Sequence, residues 1–174
     1  MPSPLIPLML VDAYNVIGKW GELERIKNRH GLAAARTELT ERMANYCAVE
    51  NLPTELVFDA YGRTGAGTYE PITNLVTLYY TAGGQTADTY IERQCSELRH
   101  QRRLIVVTSD RVEGWTVKGY GAELRTAEAL ISDVCGGLGK MRARLQSKTT
   151  SANNLAGRIK ASDREQLNRL RYGI

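Results

Sequence analysis

The sequence predicts a three-layer α/β/α fold, in which helices cover both faces of a central parallel sheet, followed by a basic helical tail. Three observations lead to this prediction. Over the first 135 residues, apolar runs of strand length alternate with amphipathic stretches of helical length, which is the order found in parallel sheets. The chain has 174 residues, 43% of them hydrophobic, which suits one domain with its own core. The excess of positive charge lies beyond residue 135.

Four apolar runs are predicted to be strands. The first, LIPLMLV, is continuously apolar and precedes Asp12, which is typical of a strand buried on both faces. The fourth, LIVVTSD, has the same character and also ends in an aspartate. A shorter segment, TVKGYG, is a candidate fifth strand. In chain order, the five segments are residues 5–11, 55–62, 74–80, 104–110 and 116–121.

Helices are predicted between these runs. Residues 32–50 place apolar side chains at steps of three and four, and an Asn-x-Pro sequence ends this helix. Thr86 is the predicted N-cap of a helix that follows a Gly-Gly loop. A further helix is expected from Ala122, with a break at a second Gly-Gly pair. The last helix is expected after the capping box Ser-Asp-Arg-Glu at residues 162–165.

The charge balance separates the chain into two parts. Residues 1–135 hold 14 Lys/Arg against 17 Asp/Glu, whereas residues 136–174 hold 9 against 2. We expect a domain over residues 1–147 and a basic linker with a C-terminal helix over residues 148–174. A basic segment beside a mildly acidic domain suits an electrostatic grip on phosphate, although a solvated tail has the same composition. The expected phosphate contacts are Arg142, Arg144, Lys148, Arg158 and Lys160.

Composition argues against several classes of protein. No apolar run approaches the roughly 20 residues that cross a bilayer, and the first residues lack the basic segment of a secretion signal. The 3 cysteines are far apart and odd in number, which argues against a disulfide framework and against a zinc site. We therefore expect a cytoplasmic protein with no membrane partner. The sequence leaves the oligomeric state open.

Aspartates stand at the ends of three predicted strands. Asp12, Asp59 and Asp110 lie at the carboxyl ends of the first, second and fourth strands, where open parallel sheets bind their ligands. Asp88 opens the helix after the Gly-Gly loop and is placed to face the same edge. Acids that converge repel one another unless a cation lies between them, and carboxylate oxygens suit Mg²⁺ or Mn²⁺. Such an ion can polarise a phosphodiester and help deprotonate water.

Other polar residues accompany these acids. Asn15 and Ser109, with its neighbour Thr108, are able to orient a phosphate or a water molecule. Glu92 lies four residues after Asp88 on the same helical face, either as a supporting acid or as part of a solvated surface. Each aspartate also has a purely structural alternative, because aspartates commonly cap helices and turns. The 2 histidines lie among basic residues near predicted helix ends, where surface capping is the simpler interpretation.

Four blocks of sequence form an ordered set of motifs over residues 5–135. They are LVDAYNVIG (10–18), VFDAYG (57–62), TADTYIE (86–92) and TSDRVEGW with GYGA (108–122). Together, and in this order, they resemble the motifs of the YacP-like NYN family, for which the D-x-Y-N block is characteristic. That family is similar to the PIN-domain nucleases and includes a ribosome-associated endoribonuclease.

This resemblance implies both an activity and a set of site residues. Asp12, Asp88 and Asp110 match the acids that are expected to hold the divalent cation. Asn15 matches the asparagine of the first motif, and Asp59 matches the acid after the second strand, a candidate peripheral ligand. The implied activity is endonucleolytic cleavage of single-stranded RNA, with messenger RNA engaged by the ribosome as one candidate substrate. The basic tail contains no motif of the family, so its role rests on charge alone.

Two alternatives stand beside a metal-dependent endoribonuclease. One is a catalytically inactive RNA- or ribosome-binding module, which the intact acids argue against because clustered carboxylates repel phosphate. The other is a phospho-acceptor signalling domain, with Asp59 as the acceptor, Thr108 as the switch hydroxyl and Lys118 as the phosphate partner. That design needs two adjacent acids after the first strand, whereas Ala13 follows Asp12.

Overall fold

The computed structural model describes residues 5–60 and 64–137, and its centre is one six-stranded sheet. The strands are β1 (Ile6–Asp12), β2 (Thr54–Phe58), β3 (Thr68–Pro71), β4 (Val76–Tyr80), β5 (Arg102–Val107) and β6 (Glu123–Arg125). Their order across the sheet is β3-β4-β2-β1-β5-β6. Strand β3 is antiparallel to β4, and every other neighbouring pair is parallel. The predicted α/β class with a central parallel sheet is therefore confirmed.

Helices connect β1 to β2, β4 to β5 and β5 to β6, whereas strand β3 lies between β2 and β4 in the chain. The helices are α1 (Ala13–Lys19), α2 (Gly21–His30), α3 (Leu32–Glu50), α4 (Ala87–Leu98) and α5 (Arg111–Gly119), and residues 127–137 are helical as well. The Thr86 side chain caps α4 as predicted, because its hydroxyl accepts a hydrogen bond of 3.2 Å from the Thr89 amide. No helix in the described part of the chain is long and apolar enough to cross a membrane. The predicted boundary at 147/148 and the capping box at 162–165 lie outside the described residues.

Strand β1 lies at the centre of the sheet, between β2 and β5. Its residues Met9, Leu10 and Val11 are fully buried, as expected for a continuously apolar strand. The register pairs Val11 with Leu56 of β2 and with Val107 of β5. The three strands therefore end close to the same level, and the residues that follow them meet at one edge of the sheet.

The last strand of the sheet differs from the prediction. Residues 116–121, predicted to be a strand, belong largely to α5, and β6 follows instead. Helix formation buries Val117 in the core, and Gly121, with a φ of 86°, allows the chain to turn after the helix. The helix predicted from Ala122 begins only at residue 127, because the intervening residues pair with β5. Pairing in the sheet has overridden a helix-like pattern.

Three elements have no counterpart in the prediction from sequence. Helix α1 starts at the residue directly after β1, so no loop signal marks its beginning. Helix α2 has no sequence signal that separates it from its surroundings. Strand β3 is exposed along its whole length, and its sequence therefore does not show the apolar pattern by which a buried strand is predicted. It is nevertheless fixed by pairing with β4 and by a hydrogen bond of 2.8 Å between the hydroxyls of Tyr69 and Tyr90.

A close approach just before β3 provides a test of this hairpin. A β-carbon at Gly67 would overlap the ring and hydroxyl of Tyr79, which stacks on the buried Tyr90 with centroids 3.9 Å apart. We expect Gly67→Ala to lower the free energy of unfolding by about 1–3 kcal/mol, because the ring has to move within a packed core. Gly18→Ala is the control, since a β-carbon there meets nothing within 4 Å. Urea denaturation measures both, and a fully stable Gly67→Ala variant would contradict this packing.

Candidate metal centre

Three acids come together at the carboxyl edge of the sheet. Asp12 ends β1 and caps α1, where its Oδ1 accepts a hydrogen bond of 3.1 Å from the Asn15 amide. Asp88 lies in the first turn of α4, and Glu113 lies in the first turn of α5. One carboxylate oxygen from each of these acids lies within 4.8 Å of the other two. Asp12, Asp88 and Glu113 are called the acidic centre below.

Glu113 is the most buried member of the acidic centre. Only 2% of the residue is exposed, and neither carboxylate oxygen has a hydrogen-bond partner of standard geometry among the described residues. Burial raises the pKa of Glu113 to about 8. The nearby Thr108 hydroxyl lowers this pKa in part, while the charges of Asp88 and Asp12 raise it further. A buried carboxylate is costly unless it is paired, so this position suits either a proton or a bound cation.

The pKa values of the two aspartates are raised as well. Burial is the main cause for Asp12, whose pKa rises to about 6, and the charges of Asp88 and Asp59 contribute. Burial is also the main cause of the raised pKa of Asp88, followed by the charge of Asp110. Three neighbouring carboxyls thus share the same signature of desolvation and like charge. The fold holds them together at a cost in free energy.

The acidic centre fits a small divalent cation. It offers only oxygen ligands, which Mg²⁺ and Mn²⁺ prefer, and it lacks the histidine or cysteine typical of zinc sites. A cation about 2 Å from each oxygen would hold its ligands about 3–4 Å apart. The observed spread of at most 4.8 Å needs only small side-chain movements to reach that geometry. The donor set and the unpartnered Glu113 carboxylate therefore favour Mg²⁺ or Mn²⁺.

Asp110, one of the three predicted ligands, lies beside this group. It caps α5, and its Oδ1 accepts hydrogen bonds from the amides of Val112 and Glu113 at 2.7 and 3.2 Å. The residue is exposed, and its charge contributes to the raised pKa of Asp88. Of the three predicted ligands, the structure therefore brings Asp12 and Asp88 close together. Glu113 completes the close group, and Asp110 stands at its rim.

Asp59 acts on the acidic centre through α4. It follows β2, and its Oδ1 accepts a short hydrogen bond from the Ala87 amide in the first turn of that helix. Because Ala87 precedes Asp88, this bond fixes the start of the helix that presents Asp88. The charge of Asp59 also contributes to the raised pKa of Asp12 and of Asp88. Its place is peripheral, next to the three acids.

Asn15 and Ser109 connect α1 to the loop after β5, next to the acidic centre. The side-chain oxygen of Asn15 accepts a hydrogen bond of 3.0 Å from the Ser109 amide, which ties α1 to the loop after β5. The Ser109 hydroxyl donates to Glu128 over 2.8 Å and accepts from the Ala127 amide. These bonds hold the start of α1 and the loop after β5 together.

The remaining predicted residues stand apart from the acidic centre. Glu92 is half-buried one turn after Asp88, and its charge makes a smaller contribution to the raised pKa of Asp88. It lies outside the close group of carboxylates. The predicted phosphate contacts lie outside the described residues; they are Arg142, Arg144, Lys148, Arg158 and Lys160.

Glu113 escapes prediction from sequence, although it lies within the last motif block. It follows Asp110 by three residues, which is the spacing of a capping box, and an acid there is expected to bind back to the helix start. The structure differs, because the Glu113 side chain points into a buried site without such a bond. A usable signal does exist. Glu113 shares a helical face with the buried Val117, so an acid occupies a position on the apolar stripe of α5.

The sheet order and the acidic centre together define a PIN-like α/β domain with a candidate cation site. The sequence matches the family model of the YacP-like NYN domain over residues 9–172, and the chain belongs to this family. The uncharacterized protein YacP of Bacillus subtilis (strain 168) is 32% identical over 128 residues, which are 73% of this chain and 74% of that protein.

Solved structures agree with this membership. The crystal structure of Rae1 (YacP) from Bacillus subtilis matches with a TM-score of 0.70 and 29% identity, covering 97% of this chain and 96% of that one. A point variant of Rae1 gives the same TM-score and identity over 82% of each chain. The resemblance seen in the sequence motifs is thus confirmed. Membership of the family supports a nuclease-like, RNA-related role.

The raised pKa of Glu113 predicts how the stability of the metal-free protein depends on pH. A glutamate in the unfolded chain titrates near 4.5, whereas folded Glu113 titrates near 8. The folded state therefore retains the proton over this interval, and stability is lost as the pH rises through it. In EDTA, we expect the free energy of unfolding to fall by a few kcal/mol, on the order of one per pKa unit, between about pH 5 and about pH 8.

Glu113→Gln should remove most of this decrease, because an amide does not ionise. Glu24→Gln, at an exposed position on α2, is the control and should keep the pH dependence of the parent. Urea denaturation of the three proteins in EDTA at several pH values measures the effect. A parent protein that is equally stable at both ends of the range would contradict the burial of an unpaired carboxyl.

Proposed function

We propose that this protein is a metal-dependent endoribonuclease that hydrolyses phosphodiester bonds of single-stranded RNA. The observation that supports this most is the buried, unpartnered Glu113 carboxylate beside Asp12 and Asp88. Packing alone gains nothing from three converging acids, whereas a site that binds a cation needs them. The link to RNA comes from membership of the YacP-like NYN family.

The acidic centre would hold Mg²⁺ or Mn²⁺ through one oxygen each of Asp12, Asp88 and Glu113. When bound, such an ion polarises the phosphodiester and lowers the pKa of the attacking water. The carboxyls must be ionised to serve as ligands, and the raised pKa values of Asp12 and Glu113 mean that binding releases protons. Cation affinity should therefore increase with pH over the neutral range.

The surrounding residues keep the acidic centre in shape. Asp59 fixes the start of α4, and with it the position of Asp88. The hydrogen bond between Asn15 and Ser109 ties α1 to the loop that follows β5. Asp110 is exposed at the rim, and its carboxylate would be available there to orient a water molecule.

An RNA-binding module without catalysis is the alternative function. Clustered carboxylates repel a phosphate backbone, so binding alone would favour basic side chains at this edge of the sheet. Basic side chains do lie close by, at Lys19, Arg111 and Lys118, but they flank Asp110 and do not replace it. Acids with flanking cations suit an enzyme that draws the RNA backbone towards a metal ion.

The purified protein should cleave a circular single-stranded RNA in Mn²⁺ or Mg²⁺ and lose this activity in EDTA. A circular substrate has no ends, so its linearisation shows endonucleolytic cleavage. Asp88→Asn should reduce the rate by about 100-fold or more, because bound metal contributes several kcal/mol to catalysis. Asp133→Asn is the control, since Asp133 is an exposed aspartate that pairs with Arg125 at 3.4 Å. Cleavage that persists in EDTA would contradict the metal mechanism.

Two further variants separate the ligand set predicted from the sequence, which includes Asp110, from the proposed set, which includes Glu113. Asp110→Asn retains a good helix cap and removes a charge at the rim. Glu113→Gln removes a charge from the acidic centre. We expect Glu113→Gln to lose more activity, and more of the increase in melting temperature that Mn²⁺ gives the parent. The opposite order would restore Asp110 as the direct ligand.

We also propose that the basic tail contacts the RNA backbone. Replacing Arg142, Arg144, Lys148, Arg158 and Lys160 together by glutamine should weaken binding and reduce the slope of log K against log salt by about 0.7 for each lost contact. The stabilisation by Mn²⁺ should stay unchanged. A salt slope equal to that of the parent would reduce the tail to a solvated segment.

The family resemblance also implies a ribosome-engaged substrate and a cytoplasmic location. The test compares cleavage of messenger RNA with and without translating ribosomes. Equal cleavage would show that free RNA is a sufficient substrate. Cleavage that appears only when ribosomes are added would make the ribosome a required partner.

A further inference from the structure

A cavity of about 410 Å³ opens beside the acidic centre. It is lined by the loop after β5, by the end of β6 and by one face of α5. Asp110 belongs to its lining and also contributes to the raised pKa of Asp88, so the cavity adjoins the acidic centre. Its volume lies within the range of pockets that bind small organic ligands.

Trp115 on α5 gives this cavity an aromatic wall. The residue is 76% exposed and forms no ring contact with another described residue. The other tryptophan, Trp20, is only 4% exposed and packs under the Arg42 guanidinium at 4.9 Å. An aromatic side chain that is left in water beside a cavity offers a flat surface on which a ligand ring can stack.

Two basic side chains lie on either side of Trp115 along α5. Arg111 and Lys118 lie one turn before and nearly one turn after Trp115 on α5, so the three residues lie along one side of the helix. Neither side chain forms a hydrogen bond or an ion pair within the described part of the chain. Two acids also line the cavity, but both are engaged. Asp110 caps α5, and Glu128 accepts from Ser109 and lies 3.8 Å from Lys19.

We propose that this cavity is a nucleotide subsite, in which a base next to the scissile bond stacks on Trp115 while Arg111 and Lys118 bind the adjoining phosphate. The proposal rests on the proposed function, because it takes RNA as the ligand. Aromatic platforms flanked by cations are the usual means of holding single strands, and they accept any base. The two unpaired cations favour RNA over a protein partner, for which the exposed tryptophan alone would suffice.

The fluorescence of Trp115 provides a direct test. The chain has 2 tryptophans, so Trp20→Phe leaves Trp115 as the sole reporter. The probe is an oligouridine of about eight nucleotides, added in EDTA so that binding is measured without cleavage. We expect the RNA to quench Trp115 and to shield it from acrylamide. Inorganic polyphosphate should compete for Arg111 and Lys118 without quenching, because it has no base.

Substitutions separate stacking from general attraction. Trp115→Leu should weaken oligouridine binding by about tenfold, whereas Trp115→Tyr should retain most of the affinity. Lys118→Ala should weaken binding and flatten its salt dependence. Arg99→Ala is the matched control, because Arg99 is exposed at the far end of α4, away from the carboxyl edge. The proposed subsite would be overturned if Trp115→Leu bound oligouridine with unchanged affinity, or if the fluorescence of Trp115 did not change when RNA was added.

The outcomes distinguish this proposal from the proposed function. If Trp115 responds to RNA in EDTA but no cleavage occurs with Mn²⁺, the subsite stands and the nuclease function fails. If cleavage occurs and depends on Asp88 while the fluorescence of Trp115 does not respond to RNA, the nuclease function stands and the subsite fails.

Discussion

The burial of the Glu113 carboxylate among other acids is the constraint on which the rest of the site depends. A carboxyl that is 2% exposed and has no hydrogen-bond partner of standard geometry in the described structure must be neutral or must lie against a cation. Its neighbours Asp12 and Asp88 make the ionised form still less favourable, which the raised pKa values express. A divalent ion would offset all three penalties at once. The same repulsion that destabilises the metal-free protein therefore becomes the basis for binding the metal.

The fold produces this arrangement from two simple features. Parallel neighbours on both sides of β1 bring the ends of β1, β2 and β5 to one edge, so residues distant in sequence become adjacent. Two helices, α4 and α5, then begin at this edge and present an acid in their first turns. Helix starts favour negative charge, which reduces the cost of gathering these acids. Asp59 binds the first residue of α4 and Asp110 caps α5, so these two peripheral acids hold Asp88 and Glu113 in position.

Much of this could be predicted from the sequence, for physical reasons. The continuously apolar β1 run and its terminal Asp12 predict both a buried strand and an acid at the carboxyl edge, and the position of Asp88 at a capped helix start was equally visible. The place of Glu113 in the acidic centre cannot be predicted in this way, because its spacing from Asp110 is that of an ordinary capping box. Only tertiary packing decides where its side chain goes. The prediction of a strand at residues 116–121 is wrong for a related reason. Residues 123–125 acquire their strand conformation from pairing with β5, a contact that local periodicity does not contain.

The most direct test of this account is the position of a metal ion in crystals of the protein grown with MnCl₂. Anomalous scattering identifies manganese without reference to the expected ligands. If these three acids hold the ion, one strong anomalous peak will lie about 2 Å from an oxygen each of Asp12, Asp88 and Glu113. The contrary result is a peak coordinated by Asp110 with Glu113 left outside, or no peak at this edge at saturating manganese. Either would show that the burial of Glu113 serves another purpose.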